Sequence, residues 1–526
     1  MDLAYLIRRA ARQFPDAPAI GNSSETVPLK AVADRAERFA NALDALQVPV
    51  GAAVGVLSEN RIEYPEIDLG LALARRVRVA LNSRLSIDDF RFALHDCDAR
   101  ALVHSSEFAE QAKMLAEDFD LVAINLDGPQ FGEHSYQDVI RQAPATSIIR
   151  EGGVEEPAWI SYTSGTTGRP KGVVLSHRAI REVTMNVLLE LGPLGPGERI
   201  VLAQPLSHGA GYFVLPQLVS GGGVYVMPTF DPAEALWAGD QPGVTTLKAV
   251  PAMFPPLIEA FESRGGTFGY STVMYGAAPM PGPTMEHALD QFGNVLVQIY
   301  GQSEAPITLS CLHKRDHVVP GDQRGSAGRP WRSVELEIRD PDGAPVPVGE
   351  AGEVTIRGSH HMTGYHRLPE ATDEVLRDGW LWTKDIGRLD ESGYLQLLGR
   401  RDEIINSGGF NVSPREVEQV IQDHPDVAEC VVVGLPHERW GSSINAVVRL
   451  KGDASTSVED ILAFARPRLT FRTPKKVILA DSIPRNPYGK VDRAGVLDAL
   501  SAGELPDLAA SEVTDPSRRG AGEASR

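Results

Sequence analysis

Leu29, Val32, Ala36, Phe39, Ala40 and Leu43 recur at three- and four-residue steps with charges between them, a spacing that predicts an amphipathic helix. The first fourteen residues, MDLAYLIRRAARQF, mix apolar side chains and arginines in the same way. Short apolar runs at 54–57, 101–103, 121–126, 224–227, 246–250 and 295–299 predict strands, most of them separated by helical patterns. Strands alternating with helices imply an α/β fold with mainly parallel sheets.

From residue 334 the pattern changes to VELEIRD and GEVTIRG, alternating strands joined by Pro- and Gly-rich turns such as DPDG at 340–343. This predicts a β-rich subdomain over 334–399, closing a large N-terminal domain, 1–399. Beyond it come a helix from Pro414, strands at 428–433 and 446–450, a helix at 458–465 and a strand at 477–479. They predict a small, mobile C-terminal α+β domain over 400–502. The stretch 503–526 is rich in Ala, Ser, Gly, Pro and charge, and is expected to be a disordered tail.

At 526 residues, 42% apolar and 23% charged, the chain reads as a soluble multi-domain protein. It has no run of 18 apolar residues that could span a bilayer, and its N-terminus lacks a secretory pattern, so a cytoplasmic location is expected. A net charge of −19 disfavours binding to nucleic acid or anionic lipid. An anionic substrate must then be held by local cations, backbone amides or a metal. Cys97, Cys311 and Cys430 are far apart and read as ordinary buried thiols. The arginines at 75, 76 and 78 read as a solvated basic face. A homodimer is compatible with the sequence.

The segment YTSGTTGRPKG, 162–172, packs hydroxyls, two flexible glycines and one lysine into a loop suited to a polyphosphate. Apolar segments flank it on both sides, and the Walker spacing is not met. A plain Ser/Thr/Gly linker is the competing reading. Further along stand GAAP (276–279) after a predicted strand, YGQSE (300–304) just past the end of another, WTKD (382–385), GRRDE (399–403) and PRNPYGK (484–490).

In these motifs and their order the sequence resembles the acyl-adenylate-forming, AMP-binding superfamily of acyl-CoA synthetases, peptide-synthetase adenylation domains and luciferases. The resemblance implies that Thr163, Ser164, Gly165, Thr166, Thr167 and Lys171 hold the outer phosphates of ATP. It implies that Gly276, Ala277, Ala278 and Pro279 let adenine and the acid lie against backbone, and that Tyr300 and Gly301 line the adenine. Ser303, where relatives usually have Thr, would contact the α-phosphate, and Glu304 would bind Mg²⁺. Asp385 and Arg400 would hold the ribose.

Lys490 would bridge the attacking carboxylate and the α-phosphate, stabilising charge that grows in the transition state. Asp402 matches a hinge about which the small domain alternates, and Gly408 and Gly409 match a thiol channel. His208 matches a gate beside the acid. The acid pocket is expected from His208, Ala210, Tyr212, Gly276, Ala277, Ala305 and Ile307. Lys384 replaces the usual glycine before Asp385; it reads as a solvated surface group, or else as positive charge near the acceptor.

The implied activity is ATP-dependent conversion of an aryl, medium-sized or fatty acid to acyl-AMP with release of pyrophosphate, then transfer to the thiol of CoA. A second reading keeps adenylation but changes the acceptor to a carrier-protein thiol, or activates nitrite for transfer to an arylamine. A third is a non-catalytic AMP-binding protein, disfavoured by retention of Glu304, Asp385, Arg400 and Lys490.

Overall fold

The computed structural model describes residues 2–163, 170–191, 195–318, 322–452, 454–485 and 491–503, with the backbone of Ala510–Glu512. The helix read from the first periodicity runs Leu29–Ala45, and all six residues that defined it are buried. Its apolar stripe lies in a core shared by two large sheets. One sheet contributes Val54 and Val56 to that core; the other contributes Ile200, Leu202 and Met274.

The nine-stranded sheet is built around Leu296–Gln302, Thr272–Gly276, Val244–Ala249, Arg199–Leu202, Gly223–Val226 and Pro18–Gly21, all paired in parallel. Antiparallel strands close both its edges. Its far face is covered by the helices Pro232–Gly239, Phe254–Arg264 and Gly282–Phe292. The eight-stranded sheet pairs Lys171–Ser176, Pro157–Thr163, Val77–Ala80, Ala53–Leu57 and Ala101–His104 in that order.

A five-stranded antiparallel sheet follows, in which Trp380–Leu389 pairs with both Gly352–Arg357 and Leu395–Arg400. From Ile405 onward a six-stranded sheet with its own apolar core begins, built on the long hairpin Val427–His437 and Gly441–Leu450. The helix Arg493–Ala502, which the sequence pattern did not reveal, buries Val496 against that sheet. Among the described residues no helix is long and apolar enough to cross a membrane.

Three expectations are corrected. The arginines at 75, 76 and 78 are not a solvated face: they are 4%, 2% and 1% exposed. Arg75 caps the helix Glu63–Ala74 at φ +52°, a position glycine usually takes, and is held by Asp2 and Glu156. Arg76 donates to the carbonyls of Ala74 and Val48 and pairs with Asp44. Each guanidinium is held inside by carboxylates and carbonyls, although Nε of Arg75 and of Arg76 has no hydrogen-bond partner among the described residues, and a run of charges in a sequence cannot reveal such a setting. Second, YGQSE is not beyond its strand: the strand continues to Gln302, and the turn at 303–304 leads directly into Ala305–Leu312. Third, within the expected tail, Ala510–Glu512 pairs antiparallel with Lys476–Leu479 and covers what would be an open sheet edge.

Candidate functional site

The phosphate-loop motif joins two antiparallel strands, Pro157–Thr163 and Lys171–Ser176, with Tyr162 opposite Gly172 and Thr163 opposite Lys171. Hence Lys171 leaves the hairpin beside Thr163, whose hydroxyl faces the Lys171 carbonyl at 3.4 Å. Ser164, Gly165, Thr166 and Thr167 lie outside the described residues, as does Lys490. Tyr162 anchors the hairpin by donating to Asp96 at 2.7 Å.

Gly364–Tyr365 pairs with the far edge of the same hairpin and places Tyr365 between two expected stations. The Lys171 ammonium lies 5.0 Å from the Tyr365 ring centre, and the Tyr365 hydroxyl donates to Glu304 at 2.8 Å. The backbone of Glu304 is fixed as well, its carbonyl accepting from Met362 N–H at 2.7 Å. Tyr365 was missed in the sequence because it belongs to no motif; only the pairing of distant strands brings it in.

A second group forms where Trp380–Leu389 and Leu395–Arg400 set Asp385 opposite Arg400. One Asp385 oxygen lies 3.3 Å from Arg400 Nε and the other accepts the Tyr300 hydroxyl at 2.5 Å. Burial, with Asp385 second, pushes the Tyr300 phenol well above its ordinary pKa, so it remains a donor. Arg415 of the following helix is close enough to act electrostatically on both Asp385 and Tyr300.

Between the two groups the backbone packs closely on itself, leaving no room for side chains at two glycines. A Cβ on Gly276 would sit 2.3 Å from the Ile299 carbonyl, and one on Gly301 would sit 2.3 Å from Ile307 N. Ala277 and Ile307 hold φ values of +69° and +50°, sparsely populated conformations that cluster at functional sites. Ala278 and Pro279 follow Ala277 in a turn before the next helix, and Ser303 is half-buried in the turn beside Glu304.

The loop carrying His208 is hung on buried polar groups. Asn60 accepts from Leu206 N–H at 2.7 Å and donates to the carbonyls of Gln204 and Met227. Arg78 donates to the Leu206 carbonyl at 2.9 Å, pairs with Asp68 at 2.6 Å and stacks 4.2 Å from the Trp159 ring centre. His208 Nδ1 lies 2.8 Å from the Ser207 hydroxyl. Ala210 is buried, and Tyr212 packs on Trp159, its phenol pushed up to about 12 by burial. Ala305 is buried at the start of the strand that carries Ile307.

The sequence model of the AMP-binding enzyme family matches residues 7–366, and that of the AMP-binding enzyme C-terminal domain matches 416–490. This chain belongs to the AMP-binding enzyme family. Family members similar to it include a medium/long-chain-fatty-acid–CoA ligase of Mycobacterium tuberculosis, 34% identical over 94% of this chain and 89% of the relative. A feruloyl-CoA synthase of an Amycolatopsis species is 35% identical over 92% and 96% of the two chains. Among solved structures, an amide bond synthetase from Marinactinospora thermotolerans superposes with a TM-score of 0.86 at 29% identity, covering 94% of this chain and 99% of that one.

The remaining family positions lie toward the small domain. Asp402 is exposed in a single 3₁₀ turn, Arg401–Glu403, between two sheets. Gly408 and Gly409 turn between Ile405–Ser407 and Phe410–Val412 at φ +63° and +83°. Gly408 N–H donates to the Trp440 carbonyl at 2.8 Å. Lys384 is a partly exposed cation held in an ion pair. At φ +60° it turns its ammonium to Glu374 at 2.8 Å, and Glu374 also holds Arg401.

Proposed function

We propose that this protein activates a carboxylic acid with ATP, forming acyl-AMP and pyrophosphate, and passes the acyl group to the thiol of CoA. The observation that carries the reading is the convergence, at the two ends of the short segment from Tyr300 to Glu304, of Lys171–Tyr365–Glu304 and Tyr300–Asp385–Arg400. The first group has a cation and a carboxylate for the phosphate end of a nucleotide. The second offers a carboxylate acceptor and a guanidinium donor for two vicinal hydroxyls. Positioning and electrostatics suffice for an in-line attack at the α-phosphorus, since little covalent help is needed.

Glu304 would hold the Mg²⁺ that accompanies ATP. One of its oxygens accepts Tyr365, and among the described residues no cluster of three ligating side chains exists, so phosphate oxygens would complete the shell. Bound there, the ion would neutralise charge building on pyrophosphate. Lys490, on the small domain, would meet the carboxylate and α-phosphate when that domain closes, with Asp402 as the turning point. His208 would gate the acid.

The thiol acceptor is favoured by the surface around Gly408 and Gly409. Trp440 lies against Gly408, with Lys475 Nζ 5.0 Å and the Arg439 guanidinium 5.7 Å from its ring centre. An aromatic face beside two cations suits an anionic, nucleotide-bearing thiol. The amine-acceptor reading depended on Lys384, whose ammonium Glu374 holds. Three buried thiols, none in a disulfide, fit a cytoplasmic location. Incubation with ATP, Mg²⁺, CoA and a panel of acids tests the reading: acid-dependent pyrophosphate and acyl-CoA support it, and acid-independent turnover or none refutes it.

A further inference from the structure

Lys248 lies in the middle of the nine-stranded sheet and takes no part in the machinery described above. It is 3% exposed, and its ammonium makes one hydrogen bond among the described residues, to the neighbouring Ala249 carbonyl at 3.0 Å. No carboxylate pairs with it among those residues. Such a group is costly unless something compensates the charge, and desolvation alone pulls its pKa down to about 7.

The register shows which face of the sheet it occupies. Lys248 stands between Leu202 and Met274 on parallel neighbours, and side chains in register share a face. Leu202 and Met274 belong to the core that also contains Ala210 and Ala305, whereas Leu247 and Ala249 belong to the core on the opposite face. Lys248 is therefore on the pocket side. Gly276 is one strand across and two residues further along, about 8 Å away from strand spacing and rise. A lysine side chain is long enough to span most of that distance, starting from a position in which its ammonium bonds the Ala249 carbonyl.

We infer that Lys248 is a specificity residue of the acid pocket and that the substrate is a dicarboxylic acid whose distal carboxylate pairs with the Lys248 ammonium. The inference rests on the adenylation reading. A neutral substituent would leave the charge uncompensated, while a carboxylate brings the opposite charge into the same desolvated space. The reacting carboxylate then lies toward Tyr300 and Glu304, and the chain of the acid runs down past Met274.

The test is pyrophosphate release by the full chain with matched acids: hexanoate against adipate, benzoate against terephthalate, and 4-hydroxybenzoate as a phenolic control. Wild type should favour the diacid of each pair by at least tenfold in kcat/KM. Lys248→Met should raise KM for diacids about a hundredfold with little change for monoacids, and Lys248→Arg should recover part of the diacid preference. Wild-type preference for monoacids or for the phenolic acid overturns the assignment, and this arm decides the matter even if a variant does not fold. Equal effects of Lys248→Met on monoacids and diacids also overturn it. No pyrophosphate with any acid of the panel would instead refute the adenylation reading, and the pocket role with it.

Discussion

Replacing Arg78 by Met gives the sharpest test of how the acid-side loop is held. The guanidinium is 1% exposed, pairs with Asp68 at 2.6 Å, donates to the Leu206 carbonyl at 2.9 Å and lies on Trp159. Removing one partner of a buried pair costs about 3–5 kcal/mol, because the remaining carboxylate stays desolvated and alone. The orphaned Leu206 carbonyl adds about 1–3 kcal/mol. Methionine refills the space between the rings and returns about 1–2 kcal/mol of apolar contact. The net expectation is a loss of about 4 kcal/mol. Urea unfolding followed by tryptophan fluorescence reads it, since Trp159 is itself a neighbour of the lost charge. The double variant Asp68→Asn, Arg78→Met removes the stranded charge and should cost less than half as much. Because Leu206 lies two residues before His208, the single variant should also raise KM for the acid more than it lowers kcat. A single variant within about 1 kcal/mol of wild type, or a double variant as unstable as the single, would refute the reasoning.

Other expectations follow from the same structure. Tyr365→Phe removes the hydroxyl held by Glu304 and should raise KM for MgATP about tenfold with the melting temperature nearly unchanged; steady-state kinetics at varied ATP checks it. Lys384→Gly relieves a left-handed backbone worth about 1 kcal/mol and loses one partly exposed ion pair, so stability should stay within about 1 kcal/mol of wild type with the acceptor still CoA. Burial holds His177 at about 4 and His360 at about 3, below the 6.5 of the unfolded chain, so the unfolded state binds the extra protons. Stability is therefore full above pH 6.5 and lost as pH falls toward 4; His177 alone accounts for about 2 kcal/mol at pH 5, and urea midpoints at pH 7.5 and 5 measure it. Lys490→Ala should cut adenylation by orders of magnitude while thioester formation from supplied acyl-AMP persists.

Local pattern sufficed wherever a residue's role is set by its own neighbours in sequence. The helix Leu29–Ala45, the strand Thr272–Gly276 before GAAP and the loop motif between two apolar segments were all legible in that way. What escaped depends on pairing between distant segments. Tyr365 reaches Glu304 because Gly364–Tyr365 adds to a hairpin nearly two hundred residues earlier in the chain. Arg78 looked like surface charge until Asp68, Trp159 and Leu206 enclosed it, and Lys248 is one polar residue in an apolar strand until the register assigns its face. Lys384 shows the converse: the departure from Thr-Gly-Asp was visible in the sequence, but its backbone angle and its hold on Glu374 were not.

The most direct test of acyl-AMP formation is to incubate the enzyme with ATP, Mg²⁺ and its best acid without CoA, then add CoA. The account predicts pyrophosphate and an enzyme-bound acyl-AMP in the first stage, and AMP with acyl-CoA in the second. Release of ADP and phosphate, or acyl-CoA formed with no acyl-AMP detectable beforehand, would contradict it.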